Sequence, residues 1–144
     1  MKARIQWLDG RAFIGESGSG HAVVMDGAPE AGGRNLGIRP MEMVLIGLGA
    51  CTAFDVVLIL EKGRERLTSL DIELEAELAP EPPKVFTRVR FIYHLKGYGL
   101  KPAAVERAIN LSAEKYCSAS AMIAKTAKIE HAWTIGEEGP PAEA

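Results

Sequence analysis

Cysteine and histidine are scarce in this chain, and charge of either sign is nowhere massed. Its two cysteines, Cys51 and Cys117, are far apart in sequence and outside any CxxC spacing, which excludes zinc-site and thioredoxin-like patterns. The three histidines, His21, His94 and His131, are dispersed among strand-like segments, with no spacing that brings them to either cysteine. They read as surface or satisfied core residues. A net charge of −2, with Lys and Arg scattered, leaves no electrostatic footprint for nucleic acid. Nothing repeats at a fixed period, so solenoid architectures are excluded. The opening MKARIQWLDGRAF lacks the apolar stretch and cleavage site of a signal peptide, and a cytoplasmic location is expected.

What is present is ordinary for a globular protein. With 144 residues, 47% of them hydrophobic and 25% charged, the chain is expected to form one domain with a buried core. Residues 136–144, rich in Glu, Gly and Pro, are expected to form a flexible tail. ARIQWLD, RAFIGES and HAVVMD read as a three-stranded meander, with Asp9-Gly10 as a hairpin signal. A Gly- and Pro-rich loop leads to a helix starting at Pro40 or Met41 and running to about Lys62, where Gly63 supplies a stop.

Leu70, Ile72, Leu74, Ala76 and Leu78 alternate with charged residues as one half-buried strand. Val85, Thr87, Val89, Phe91 and Tyr93 set the alternation of the next. Helical spacing returns at Val105, Ala108, Ile109 and Ser112, a short helix is expected from Ser118, and AKIEHAWTIG is the last strand. The fold class is α+β: three strands, a long helix, two strands, helices and a strand.

The long helix poses the functional question, because LIGLGACTAFDVVLIL sets a thiol and a carboxylate in the most apolar part of the chain. A membrane span is considered and set aside, since Asp55 and two glycines interrupt the run and no second span exists. Gly47 and Gly49 each cost about 1 kcal/mol in a helix interior, which points to close approach by another backbone. The segment is apolar nearly all round and needs cover on most sides. A homodimer packed through this helix is expected.

Cys51 shares a helix face with Asp55, and Cys117 is bedded in the small residues of YCSASA. The pair fits either inert packing or peroxide reduction. In the latter a thiolate is oxidised to a sulfenic acid and a second thiol condenses with it. A buried thiolate needs a positive partner; Arg39, just before the helix, and Arg11, at the first hairpin, are the candidates. Asp55 would oppose a thiolate and is expected to pair with a buried donor instead.

RPMEMVLIGLGACTAFDVVLILEKGR, followed some 50 residues later by YCSASAMIAK, resembles the OsmC/Ohr family of osmotically inducible and organic hydroperoxide resistance proteins, and within it the YhfA-like branch. The likeness covers essentially the whole chain. It implies an intertwined homodimer with the long helices at its centre, Cys51 as the peroxide-attacking cysteine and Cys117 as the resolving one. It further implies organic hydroperoxides as substrates, no metal, flavin or haem, and an external dithiol such as dihydrolipoamide as reductant.

In the Ohr branch a glutamate ten residues before the cysteine pairs with the arginine that holds the thiolate. Here Glu42 lies nine before, about 100° around a helix from that place, and Arg39 is the preferred thiolate partner. The competing reading is a dimeric binding protein for an acyl or other apolar ligand, with packing or redox-sensing cysteines. A dimer serving assembly alone is the third.

Overall fold

The computed structural model describes residues 1–138. They follow the expected order: β1 (Ala3–Asp9), β2 (Ala12–Ser17), β3 (Ala22–Met25), α1 (Pro40–Lys62), β4 (Arg66–Leu78), β5 (Phe86–Tyr98), α2 (Pro102–Leu111), α3 (Ser118–Ile123) and β6 (Lys128–Glu137). The chain divides into two compact units, Met1–Ile46 and Gly47 onward, and the division falls inside α1.

The first unit is the antiparallel sheet β1-β2-β3 and the loop after it. Gly10, at φ +52°, occupies the tight turn between β1 and β2, a left-handed conformation that costs glycine nothing. The loop is organised by one buried carboxylate. Asp26 accepts backbone N–H bonds from Gly27 (2.7 Å), Arg34 (3.1 Å) and Leu36 (3.2 Å). Burial pushes its carboxyl up, but these three amides and the Arg34 charge outweigh that and hold it below the usual carboxylate value. Gly33 sits so close to Gly27 that a Cβ there would lie 1.9 Å from the Gly27 carbonyl oxygen; only glycine fits.

Helix α1 starts as its sequence dictates. Pro40 takes the first helical position, where its missing N–H is not needed. Glu42 reaches back to accept the Arg39 backbone N–H at 2.9 Å, half of a capping box. At the other end the left-handed residue is Arg64 (φ +60°), not Gly63. The Arg64 N–H donates to the Glu61 carbonyl and the Glu65 N–H to that of Leu60, closing a Schellman motif one residue later than the glycine suggests.

The second unit holds the sheet β4-β5-β6, with β4 and β5 antiparallel and β5 and β6 parallel. A parallel neighbour demands a long crossover, and α2, α3 and the turn between them provide it. The core comprises Val56 and Leu60 of α1, Val89, Phe91, Tyr93 and Leu95 of β5, and Val105, Ala108 and Ile109 of α2. The β5 alternation holds from Val89 to Leu95 but fails at its start, where Phe86 is buried and Val85 exposed. A bulge causes this: Glu77 pairs with Arg88 but Leu78 with Phe86, so Thr87 is the extra residue. On β4, Leu70, Ile72 and Leu74 are half-buried, while Ala76 and Leu78 lie exposed.

Two expectations need correction. Residues Gly136 and Glu137, assigned to a flexible tail, belong to β6; the rest of that assignment, beyond residue 138, lies outside the described residues. The helix glycines also differ from each other. A Cβ on Gly49 would meet Leu74 Cδ1 of β4 at 2.8 Å, so this glycine admits a side chain of its own chain and not a second backbone. Around Gly47 nothing lies within 4 Å of that position. Helix α1 is long and apolar enough to cross a membrane, yet only 28% of its most apolar window is buried within the chain. Phe54, 70% exposed, is the clearest uncovered residue in the second unit.

Candidate functional site

The crossover that makes β6 parallel to β5 also brings the two cysteines together. After α2 the chain widens into one π-helical turn, Ser112–Tyr116, a local irregularity frequent at functional sites. Cys117 then leaves the helical region (φ −74°, ψ 102°) and becomes the N-cap of α3. Ser112 holds this turn in two ways: its carbonyl accepts the Cys117 N–H at 2.8 Å, and its buried hydroxyl donates to Asp55 Oδ2 at 2.9 Å. The carboxylate in the apolar helix thus has a structural task. It anchors the turn that presents Cys117 to α1.

Both thiols are free, Cys51 half-buried and Cys117 buried. The Cys117 sulfur accepts the Thr52 hydroxyl (3.3 Å) and the Ser120 backbone N–H (3.3 Å). Thr52 follows Cys51 directly on α1, so one helix turn supplies both a thiol and a donor to the other thiol. The Ser120 hydroxyl is buried and meets no partner at hydrogen-bond geometry, yet it lies close enough to Cys117 to stabilise a negative sulfur. A hydroxyl proton rotates freely and can turn toward a sulfur that becomes charged.

These surroundings separate the two thiols electrostatically. Burial pushes the Cys117 thiol up, but Ser120, Thr52 and Cys51, all acting as donors, outweigh it and the net shift is downward. Cys51 is pulled down by the Ala119 amide. Burial, donation to Cys117, and the negative charges of Cys117 and Asp55 overcome that pull, and the net shift is upward. Beyond the sulfurs, Tyr93 is fully buried and its hydroxyl meets His131 Nδ1 at 2.9 Å. Burial, then the charge of Cys117, pushes the Tyr93 phenol up, and burial pushes the His131 imidazole down, toward its neutral form.

Of the residues the sequence singles out, Cys51 and Cys117 are brought together in the second unit. Arg39 and Glu42 are brought together in the first, where the guanidinium lies 4.0 Å from the carboxylate and donates to Asn35 Oδ1 at 3.0 Å. Thr52 and Ser112 were not anticipated as site residues, since nothing in their local sequence sets them beside Cys117; Ala119 and Ser120 belong to the YCSASA stretch whose small residues surround it. A cavity of about 350 Å³ is lined by Asp55, Leu58, Ile59, Arg107, Leu111 and Tyr116 among others; it shares Asp55 with the site, and neither cysteine lines it. Among the described residues no group of three or more His, Cys, Asp or Glu is placed to hold a metal ion.

Residues 32–132 match the sequence profile of a family described as OsmC-like protein. Protein YhfA of Escherichia coli (strain K12) is 44% identical over 138 residues, covering 94% of this chain and 98% of YhfA. Among solved structures, a hypothetical protein from Aquifex aeolicus VF5 superposes with a TM-score of 0.84 at 25% identity, over 96% of this chain and 97% of that one. The organic hydroperoxide resistance protein OsmC from Legionella pneumophila shares the fold, with a TM-score of 0.69 at 19% identity over 92% and 95% of the two chains.

Proposed function

The chain belongs to the OsmC-like protein family, and from that membership and its thiol pair we propose that it is a cytoplasmic, homodimeric thiol peroxidase reducing organic hydroperoxides to alcohols. Cys51, the more exposed sulfur, attacks the outer peroxide oxygen; the O–O bond breaks, sulfur is oxidised to a sulfenic acid, and the alcohol leaves. Cys117 then attacks that sulfur, expelling hydroxide and forming a disulfide, which an external dithiol such as dihydrolipoamide reduces. No bound cofactor is needed for this cycle. The observation that carries the reading is the meeting of the only two cysteines of the chain in one polar cradle.

Arg39 enters this reading as the cationic partner of the thiolate, with Glu42 fixing it from the first turn of α1. Their mutual pairing supports that role. The homodimer is supported by the uncovered apolar faces of α1, which a second copy would bury.

The test adds one equivalent of cumene hydroperoxide per reduced chain and follows peroxide, free thiols and intact mass. The expected result is peroxide consumed within seconds, both thiols lost, and a mass lower by two hydrogens. Cys51→Ser is silent, and Arg39→Ala is slowed far more than it is destabilised. Two thiols surviving excess peroxide would discard the peroxidase. An apolar-ligand-binding protein is the second reading, favoured by the hollow of about 450 Å³ that Ala53, Phe54, Val57, Leu58 and Leu70 form along α1. Native mass spectrometry of gently purified protein would then show bound ligand.

A further inference from the structure

The polar groups of the site converge on the wrong sulfur for a cysteine that merely waits to resolve. Thr52 Oγ1 and the Ser120 N–H both point at Cys117, and the unpartnered Ser120 hydroxyl is buried beside it. Cys51 is flanked by Asp55 on its own helix, whose carboxylate opposes a second negative charge there. Yet Cys51 is the more exposed thiol, half-buried, and Cys117 is only 3% exposed. A thiol must lose its proton to attack, and the nearest group built to receive it is the other sulfur.

We infer that Cys117 is the proton acceptor for Cys51 in the peroxide step, with Thr52 and Ser120 as positioning residues that hold its charge. The inference rests on the peroxidase reading. Before attack the pair is Cys51–SH with Cys117–S⁻. As peroxide arrives the proton passes from Cys51 to Cys117, and the Cys51 sulfur takes the outer peroxide oxygen. The departing alkoxide takes the proton back from Cys117, so Cys51–SH, Cys117–S⁻ and ROOH give Cys51–SOH, Cys117–S⁻ and ROH. Cys117 is left as a thiolate beside the sulfenic acid it must attack, and the second step yields the disulfide and hydroxide.

The groups facing Cys117 are Thr52 and Cys51 from α1, Ser120 from α3 and Tyr93 from β5, with Asp55 of α1 beyond Cys51 and His131 of β6 behind Tyr93. None is a cation at neutral pH. The charge on Cys117 is therefore held by donated hydrogen bonds, which makes it sensitive to loss of single hydroxyls.

The test separates the first chemical step from resolution. Sulfenic acid formation is timed in single turnovers of wild type, Cys117→Ser, Ser120→Ala and Thr52→Val, and thiolate absorbance at 240 nm is titrated in each and in Cys51→Ser. Cys117→Ser is expected to slow the first step about 100-fold at neutral pH, with recovery as pH rises. Ser120→Ala and Thr52→Val move the pH midpoint of that step upward by about one unit. Thiolate appears at lower pH in Cys51→Ser than in Cys117→Ser. A first step unchanged in Cys117→Ser confines Cys117 to resolution and overturns the inference while leaving the peroxidase intact. A wild type inert to peroxide overturns the peroxidase and with it the proton transfer during turnover. The titration still reports independently which sulfur carries the charge, and thiolate appearing first in Cys117→Ser overturns that assignment even in an inert protein.

Discussion

The two sheets of this molecule are held by different means. In β4-β5-β6 the central strand buries Val89, Phe91, Tyr93 and Leu95, and its order follows from removing apolar surface from water. In β1-β2-β3 every residue of β1 is exposed, Ile5 and Trp7 included. The loop beside that sheet is fixed by hydrogen bonds to the Asp26 carboxylate. A sheet with its own core tolerates loss of a polar contact but not of an aromatic ring. A unit organised around one carboxylate has the opposite weakness. The candidate thiols belong to the unit with the core, which suits a site that needs sulfurs held at fixed separation.

The largest expected effect comes from breaking the core of the second sheet. Phe91 is fully buried, with ring centroids 5.8 Å from Tyr93 and 5.0 Å from His131. Phe91→Ala is expected to cost about 3–5 kcal/mol, read as a lower denaturant midpoint with the slope unchanged. A loss below about 1 kcal/mol would show that β5 is not the centre of stability.

The matching attack on the first unit is Asp26→Ala, which strips three amides of their acceptor and is expected to raise hydrogen exchange at Gly27, Arg34 and Leu36 while amides of β5 stay protected. The same residue sets an acid dependence. Its folded pKa is depressed, so its contribution is complete above the unfolded value of 3.8 and is lost as pH falls through the lower folded value. The acid-side fall in protection of these amides is expected in wild type and absent in the variant. Loss of β5 protection alongside them would show that the two units unfold as one.

Much of this was legible in the sequence, for reasons that vary by element. Pro40, the apolar run and Lys62 marked α1 at both ends, because a proline at the start and a change of composition at the finish are local signals. Alternation marked β4 and the middle of β5, but could not show the bulge at Thr87, which depends on how two strands pair. The stop at Arg64 instead of Gly63 is a one-residue displacement that the two bonds of the Schellman motif decide. The two cysteines were visible as a pair. Their unequal surroundings were not, since Thr52, Ser112 and Ser120 lie on three different segments that only the crossover to β6 gathers. The tasks of Gly49 and Asp55 likewise depended on partners, Leu74 and Ser112, that sequence spacing does not announce.

The smallest effect is expected on the exposed face of the first sheet. Trp7 is 65% exposed, and its indole N–H donates to the Gly10 carbonyl at 3.1 Å, across the turn it precedes. Trp7→Ala removes little buried surface and one exposed hydrogen bond, so the change in chain stability is expected within about 0.5 kcal/mol. Trp133, the other of the two tryptophans, remains as the fluorescent probe of β6. The measurement is a denaturant midpoint at two protein concentrations. A loss above about 2 kcal/mol that grows with concentration would reverse the comparison: the apolar face of β1 would then be buried by a second chain, and the first sheet would have a core supplied from outside its own polypeptide.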